Sequence, residues 1–404
     1  MAKVAILGFG VVGSGVAEVL RENSALIKNK LHTDLELKYI LDVKDFPGNP
    51  FQEFVIHDFT TIERDLEVEV VAETIGGTGI AKEFTKRAIC AGKSVITSNK
   101  ELVAEHGCEL MGLAQKHGVS YLYEASVGGG IPVIRPMKRC LAANEITEVR
   151  GILNGTTNYI LTRMIRSGIS FREALEEAQA NGYAEKDPTA DVEGLDACRK
   201  TCILAALAFG RQIHPNQVPT EGITRVTLAD VAYAASRDYK IKLLGRAVRG
   251  EDGSVRAFVE PHLIPGSNPL SAVEDVFNAI SVKGNAVGDV MFYGRGAGKL
   301  PTASAVVADM MEAVVYRDRP KYLDWEEGGP DTVVSPDDIP GFWYVRGQTD
   351  IDVFRAALGD VLPLANSGAP AGESAVLTPA MPRPELEARL SSVELSALFR
   401  VLGD

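Results

Sequence analysis

Over the first 130 residues, short apolar runs alternate with stretches in which apolar positions recur every three to four residues. Residues 4–8 (VAILG) are apolar throughout, as a strand buried on both faces requires. Residues 35–42, 69–75 and 94–97 repeat that pattern, while 13–23 and 81–91 have helical spacing. Strands alternating with helices predict a parallel α/β sheet.

The pattern changes after Ala125. Residues 128–130 are a glycine triplet followed by Pro132, a loop in which backbone approaches something closely. Residues 145–153 predict a strand that runs into NGTTN, with helices at 159–167 and 171–181, the second capped by Ser170. Residues 195–209 predict a longer helix ending near Gly210, and strand patterns return at 242–249, 255–263 and 279–290. Residues 317–341, with DWEEGGPD and SPDDIPG, have the composition of a linker. Beyond it, residues 342–346, 351–358, 362–365, 375–377, 384–390 and 397–401 read as β-α-β-β-α-β, a small ferredoxin-like pattern. The expected organisation is a dinucleotide-binding domain at 1–130, to which 294–316 returns, an α+β catalytic and dimerisation domain at 131–316, and a C-terminal domain at 342–404.

Charge narrows the function. The 404 residues carry a net charge of −12 with no Lys/Arg-rich run, so the chain lacks the positive footprint that phosphate-backbone binding needs, and no nucleic-acid partner is expected. The five cysteines show no CxxC spacing and suggest reduced thiols, with Cys198 and Cys202 as small core residues. No apolar stretch reaches transmembrane length and no signal-peptide core precedes the first strand, so a cytoplasmic protein with no membrane partner is expected.

Several segments can carry chemistry. GFGVVG, from Gly8 through Phe9, Gly10, Val11 and Val12 to Gly13, follows a buried strand and opens a helix, the setting of a dinucleotide fingerprint. Its helix N-terminus offers free N–H groups to a pyrophosphate. Asp42 closes the second strand, where a carboxylate bonds a ribose 2′-hydroxyl and favours NAD; Lys44, two residues on, favours NADP, and the choice stays open. VITSNKELVA places Thr97, Ser98 and Lys100 at the carboxyl end of a parallel strand, the edge where ligands gather, although a helix cap at Ser98 or Asn99 explains part of it. In ANGYAEKDPTADVEGLDACRK, the carboxylates Glu185, Asp187, Asp191, Glu193 and Asp196 crowd one short segment, and Asp196 and Lys200 share a helix face. An ion pair there can be a surface feature, or Lys200 can serve as a proton donor and acceptor. A second glycine-rich loop, GRGAGK around Gly298, leads through Pro301 into another helix. The six histidines (His32, His57, His106, His117, His214 and His262) lie outside all these segments, which argues against imidazole as the acid/base group.

Together, GFGVVG, TSNKELVA, YEASVGGGIPVI, LNGTTNYIL, GYAEKDPTADVEGLDACRK and GAGKLPTASAVVAD resemble homoserine dehydrogenases in order and spacing over about residues 1–315. The resemblance implies reversible NAD- or NADP-linked interconversion of L-homoserine and L-aspartate 4-semialdehyde by a homodimer or homotetramer. It implies Lys200 as proton donor in aldehyde reduction, Lys100 beside cofactor and substrate, and Asp196 holding substrate or Lys200. Glu185 and Asp191 would receive the substrate's polar groups. It further implies a sodium-type ion held by oxygens of Glu124, Val127, Gly129 and Ile131, mainly backbone carbonyls. Two departures stand out: Leu41 precedes Asp42 where the family often has arginine, and the ACT-like C-terminal segment lacks a glycine before its first helix. Another Rossmann-type reductase of a small carbonyl compound would keep the glycine turn without needing residues 185–200; a non-catalytic nucleotide sensor would need neither Asp196 nor Lys200; and the C-terminal tail can be purely structural.

Overall fold

The computed structural model describes residues 1–403 and divides into two units, each drawn from separated parts of the chain. The first comprises Met1–Ile146, Cys202–Pro215 and Lys283–Pro330; the second comprises Thr147–Thr201, Asn216–Val282 and Asp331–Asp404.

The first unit is built on six parallel strands: β1 (Ala2–Leu7), β2 (Leu35–Leu41), β3 (Val55–Ile56), β4 (Val68–Glu73), β5 (Ser94–Thr97) and β6 (Tyr121–Leu122). Their spatial order is β3-β2-β1-β4-β5-β6. The chain winds outward one way from β1 and then the other way from β4, which opens a crevice at the carboxyl ends of those two strands. The apolar runs are explained by burial on both faces: Val4, Ala5, Ile6 and Leu7 are all fully buried. Helix Lys299–Val315, far along the chain, packs its Ala303, Val306, Val307 and Met310 into the same core. It lies against helix Val11–Glu22 at Gly15, where a Cβ would come within 2.9 Å of the Lys299 carbonyl oxygen. His106 sits mid-way along helix Lys100–His117. The following Gly107 makes room for the Trp325 ring and does not cap the helix.

The second unit centres on a mixed sheet. Its strands include β7 (Ile146–Ile152), β8 (Tyr239–Arg249), β9 (Val255–Pro265) and β10 (Phe277–Gly284), in the spatial order β10-β7-β8-β9. The stretch 279–290, expected as one strand, is two, because the chain turns at 285–287 and Gly288 takes a φ of 73° before β11 (Gly288–Arg295). Helix Phe171–Ala180 begins as expected, with a reciprocal capping box between Ser170 and Glu173. Helix Leu195–Phe209 has the expected bounds. The C-terminal strands β12 (Trp343–Gly347), β13 (Leu362–Pro363), β14 (Ser374–Leu377) and β15 (Leu395–Val401) alternate with helices Ile351–Leu358 and Arg383–Arg389 as β-α-β-β-α-β. They stand in the order β15-β12-β14-β13, and β15 joins β9 in parallel through Arg400↔His262. The Arg346 guanidinium on β12 is buried against Asp230 at 2.7 Å and Glu373 at 2.7 Å, charge-assisted contacts that tie β12 to helix Leu228–Ala235 and to the residue before β14.

Lys242 on β8 is almost wholly buried, donating to Asn158 Oδ1 at 2.9 Å and to the Val273 carbonyl at 2.5 Å. Burial, with the Lys240 charge adding, pulls its pKa down to about 7. Between that value and the unfolded lysine value near 10.4, the unfolded chain binds the extra proton, so this group makes stability rise with pH. The expected slope is at most about 1.4 kcal/mol per pH unit. Denaturant midpoints measured from pH 7 to 10 should rise more steeply in wild type than in Lys242→Met; parallel curves would show that the amine stays protonated in the fold.

Candidate active site

The glycine turn joins β1 to helix Val11–Glu22 and differs at each glycine. Gly8 has a φ of 89°, which side-chain-bearing residues rarely adopt. A Cβ on Gly13 would overlap the Gly8 carbonyl oxygen and stand 2.8 Å from Thr74 Oγ1. Gly10, by contrast, has nothing within 4 Å of where a Cβ would be, and the helix it begins has no side-chain cap. Uncapped N–H groups beside open space are what a pyrophosphate needs. Of the residues between these glycines, Phe9 turns its ring inward against Phe46 and Phe51 and gives its N–H to Asp42, Val11 is exposed, and Val12 is half-buried.

Asp42 fixes that turn. Its Oδ2 accepts the Phe9 N–H at 2.7 Å and its Oδ1 accepts the Lys44 N–H at 3.0 Å. A carboxylate has about four lone-pair positions, so ribose hydroxyls can still be accommodated. Beside it, Gly8, Leu41, Asp42, Val43, His57, Ile75, Ile80 and Phe84 line a largely apolar cavity of about 350 Å³, suited to an adenine ring. His57 belongs to this wall, held by a 2.7 Å contact between Nδ1 and the Asp42 carbonyl, which raises its pKa. Nothing in the neighbours of His57 along the chain marks it for this place.

At the carboxyl ends of β4 and β5, a buried carboxylate organises the loops. Glu73 accepts the Ile75 N–H at 2.8 Å, the Gly76 N–H at 3.1 Å and the Thr97 hydroxyl at 2.7 Å. Thr97 Oγ1 in turn accepts the Asn99 N–H at 2.9 Å, and Asn99 caps helix Lys100–His117 through Leu102. The cap is thus Asn99, Ser98 precedes it, and Lys100 is the first residue of the helix. Thr74 Oγ1 donates toward the carbonyls of Leu7 and Gly8, tying β4 to the glycine turn. Glu73 and Thr74 went unnoticed in the sequence, although an acidic residue closing an apolar strand is the signal that Asp42 also carries.

The loop after β6 is equally constrained. The Glu124 carboxylate accepts the N–H groups of Val133, Ile134 and Arg135 at 2.7, 3.0 and 2.7 Å, anchoring the start of helix Ile134–Arg139. Its oxygens are largely spent there. The carbonyls of Val127, Gly129 and Ile131, all in buried residues, accept no hydrogen bond among the described residues. Buried carbonyls without donors fit a hard cation. The same loop meets the second glycine loop, where Gly130 N–H donates to the Arg295 carbonyl at 3.2 Å and Gly298, with a φ of 130°, precedes helix Lys299–Val315.

In the second unit, Lys200 and Asp196 are both buried and joined at 2.7 Å. Lys200 Nζ also donates to the Leu153 carbonyl at 2.8 Å. Of the three N–H groups on an ammonium, two are so used and one is left for a ligand. Asn154 donates to Asp196 Oδ2 at 2.9 Å and to Asp191 Oδ1 at 2.6 Å. Burial raises the Asp191 pKa, the Asn154 amide opposes that shift, the Asp196 charge adds to it, and Lys200 and Thr156 lower it. Three of the expected residues are therefore in one hydrogen-bonded cluster. Glu185 is not: its side chain is exposed, and its carbonyl is held by Gln179 at 2.9 Å. Helix Gly155–Ser167 starts four residues earlier than the spacing of its apolar positions suggested, because Asn154 is its cap and Gly155-Thr156-Thr157 its first turn.

Two family profiles cover most of the chain: "Homoserine dehydrogenase, NAD binding domain" matches residues 8–124 and "Homoserine dehydrogenase" matches 132–311. The homoserine dehydrogenase of Neisseria gonorrhoeae is 41% identical over 355 residues, 85% of this chain and 81% of that one. The Synechocystis enzyme is 44% identical over 319 residues, 77% and 73% of the two chains. Among solved structures, a homoserine dehydrogenase from Thiobacillus denitrificans superposes with a TM-score of 0.88 at 33% identity, covering 99% of this chain and 98% of that one. A hyperthermophilic archaeal homoserine dehydrogenase in complex with NADPH gives 0.66 at 27% identity, covering 78% and 98%.

Proposed function

Because the chain belongs to the homoserine dehydrogenase family, we propose that Lys200 is the proton donor and acceptor of its reaction and that Asp196 holds it in place. The activity is the NAD(P)-dependent, reversible interconversion of L-homoserine and L-aspartate 4-semialdehyde in the biosynthesis of threonine, methionine and isoleucine. When bound, the nicotinamide supplies the hydride in one direction and takes it in the other.

The observation that carries the residue assignment is the buried Lys200–Asp196 pair with one N–H of Lys200 unspent. In reduction, that N–H meets the aldehyde oxygen, stabilises the negative charge developing on it and gives up its proton to make the hydroxyl. In oxidation, the amine takes the hydroxyl proton back. Glu185 receives the ammonium of the substrate, with Asp191 near the same group and Asp196 bonded beside Asp191 through Asn154, and Lys100 sits by cofactor and substrate. Gly8, Phe9, Gly10, Val11, Val12 and Gly13 receive the pyrophosphate, Asp42 and Lys44 the adenosine ribose, and Thr97, Ser98 and Gly298 the nicotinamide end. The preference between NAD and NADP turns on Asp42 set against Lys44 and His57.

We further assign a sodium-type ion to the carbonyls of Glu124, Val127, Gly129 and Ile131. The thermal midpoint is expected to be higher in sodium chloride than in tetramethylammonium chloride at equal ionic strength, since the larger cation cannot enter; equal midpoints would remove the ion. The 342–404 segment is assigned as an ACT-like module, and the chain as a cytoplasmic homodimer or homotetramer. The direct test of function is steady-state oxidation of L-homoserine with NAD and with NADP, beside a panel of other hydroxy acids. Turnover confined to homoserine is expected; a different preferred substrate would overturn the assignment.

A further inference from the structure

Asn154 holds a position in the fold that its role as a helix cap does not explain. It stands where β7 gives way to helix Gly155–Ser167, with its side chain buried. Its Oδ1 accepts the Thr157 N–H at 2.9 Å, which is the cap. Its Nδ2 carries two hydrogens, and both are directed at carboxylates: Asp191 Oδ1 at 2.6 Å and Asp196 Oδ2 at 2.9 Å. Every hydrogen-bonding group of the amide is therefore matched to a partner of the right sense. Rotating the amide by half a turn would put its oxygen against two carboxylates and its N–H groups against an N–H, so the network allows one orientation only.

The adjacent residue completes the arrangement. The Leu153 carbonyl accepts one N–H of Lys200, and Asp196 Oδ2, the atom that Asn154 holds, accepts another. One strand-to-helix junction thus fixes the amine from two sides. Without the amide, the part-buried Asp191 and the buried Asp196 would repel each other, and Asp196 would lose one of the groups that hold it against the amine.

We propose that Asn154 is a positioning residue for the homoserine dehydrogenase reaction: by clamping Asp191 and Asp196 with one amide, it sets the direction in which Lys200 presents its remaining N–H. The proposal rests on the assignment of Lys200 made above. It also explains why asparagine stands here. Serine could cap the helix but has a single donor; aspartate could cap it but has none; glutamine is one methylene longer.

That comparison supplies the experiment. Asn154→Ser keeps the cap acceptor and loses the clamp; its thermal midpoint should fall, because two charge-assisted hydrogen bonds are lost, so its activity is compared at a temperature where circular dichroism shows it folded. Its kcat for homoserine oxidation should fall about 10- to 100-fold, the equivalent of one charge-assisted hydrogen bond. The acid limb of its kcat/KM profile should move to higher pH, because the Asp191 carboxylate loses the donor that opposes its upward shift, with Asp196, Lys200 and Thr156 still facing it. Asn154→Asp, which keeps the cap acceptor and the shape, should show the same displacement and a larger loss, and it serves as the second variant if the serine protein does not fold. Wild-type kcat and an unmoved acid limb in either folded variant would reduce Asn154 to a helix cap and overturn the proposal. Lys200→Ala run beside them separates the two ideas: if that variant turns over normally, the lysine assignment fails, whereas a dead Lys200→Ala with a wild-type Asn154→Ser profile sinks the clamp alone.

Discussion

Lys200→Ala is expected to lower kcat for homoserine oxidation about 10²- to 10⁴-fold, the usual contribution of a positioned proton-transfer group. Cofactor affinity should be unchanged, since the glycine turn and Asp42 lie in the other unit. A loss of stability is expected alongside, because the substitution leaves Asp196, only 5% exposed, without its cation. Removing one partner of a buried ion pair commonly costs about 3–5 kcal/mol, reduced here by the amide that Asn154 still donates. Activity must therefore be compared at a temperature where the variant is folded, as judged by its circular dichroism. Lys200→Arg distinguishes charge from proton transfer: the guanidinium keeps the positive charge but does not release a proton near neutral pH, so it should remain severely impaired. Full activity in the arginine variant would mean that electrostatic stabilisation alone is at work.

The second large effect concerns the turn between β1 and helix Val11–Glu22. Gly13→Ala should raise the KM for the cofactor at least about tenfold, the equivalent of losing one charge-assisted hydrogen bond to a phosphate. It should also destabilise the fold by about 1–3 kcal/mol, the range for overpacking a close contact. The added methyl would overlap the Gly8 carbonyl and press on Thr74 Oγ1, the hydroxyl that ties β4 to the turn. Relieving that contact moves either the turn or the helix, and both carry N–H groups of the cradle. Gly10→Ala is the informative companion. Its methyl meets nothing within 4 Å, so the thermal midpoint should hold while cofactor affinity falls, because the space it fills is where the pyrophosphate would lie. If Gly10→Ala binds cofactor as wild type does, the dinucleotide lies elsewhere.

What could be read from the sequence had local causes. The strand residues of the first sheet are buried on both faces, so they appear as uninterrupted apolar runs. Asp196 and Lys200 are one helical turn apart, so their meeting follows from 3.6 residues per turn, and the structure adds that the pair is buried. What could not be read depends on distant residues. His57 reaches the apolar cavity beside Asp42 because β3 lies beside β2, a pairing that its own neighbours do not announce. Glu73 is buried through contacts with Thr97, 24 positions on. Asn154 begins the NGTTN that follows an expected strand, but a helix expected only from Tyr159 hides its role as the cap; an asparagine between a strand and a small-residue turn is the available sign. The stretch 279–290 reads as one strand because Ala286 and Val287 keep it apolar through the turn at 285–287; Gly284-Asn285 and Gly288 are the turn signal it carries.

The most direct test of the central claim is a crystal structure with an oxidised cofactor analogue and L-homoserine bound together. Lys200 Nζ should lie within hydrogen-bond reach of the substrate hydroxyl, about 2.6–3.2 Å, with the hydroxyl-bearing carbon facing the nicotinamide. A substrate hydroxyl bonded to some other acid or base, with Lys200 turned away from the nicotinamide, would contradict it.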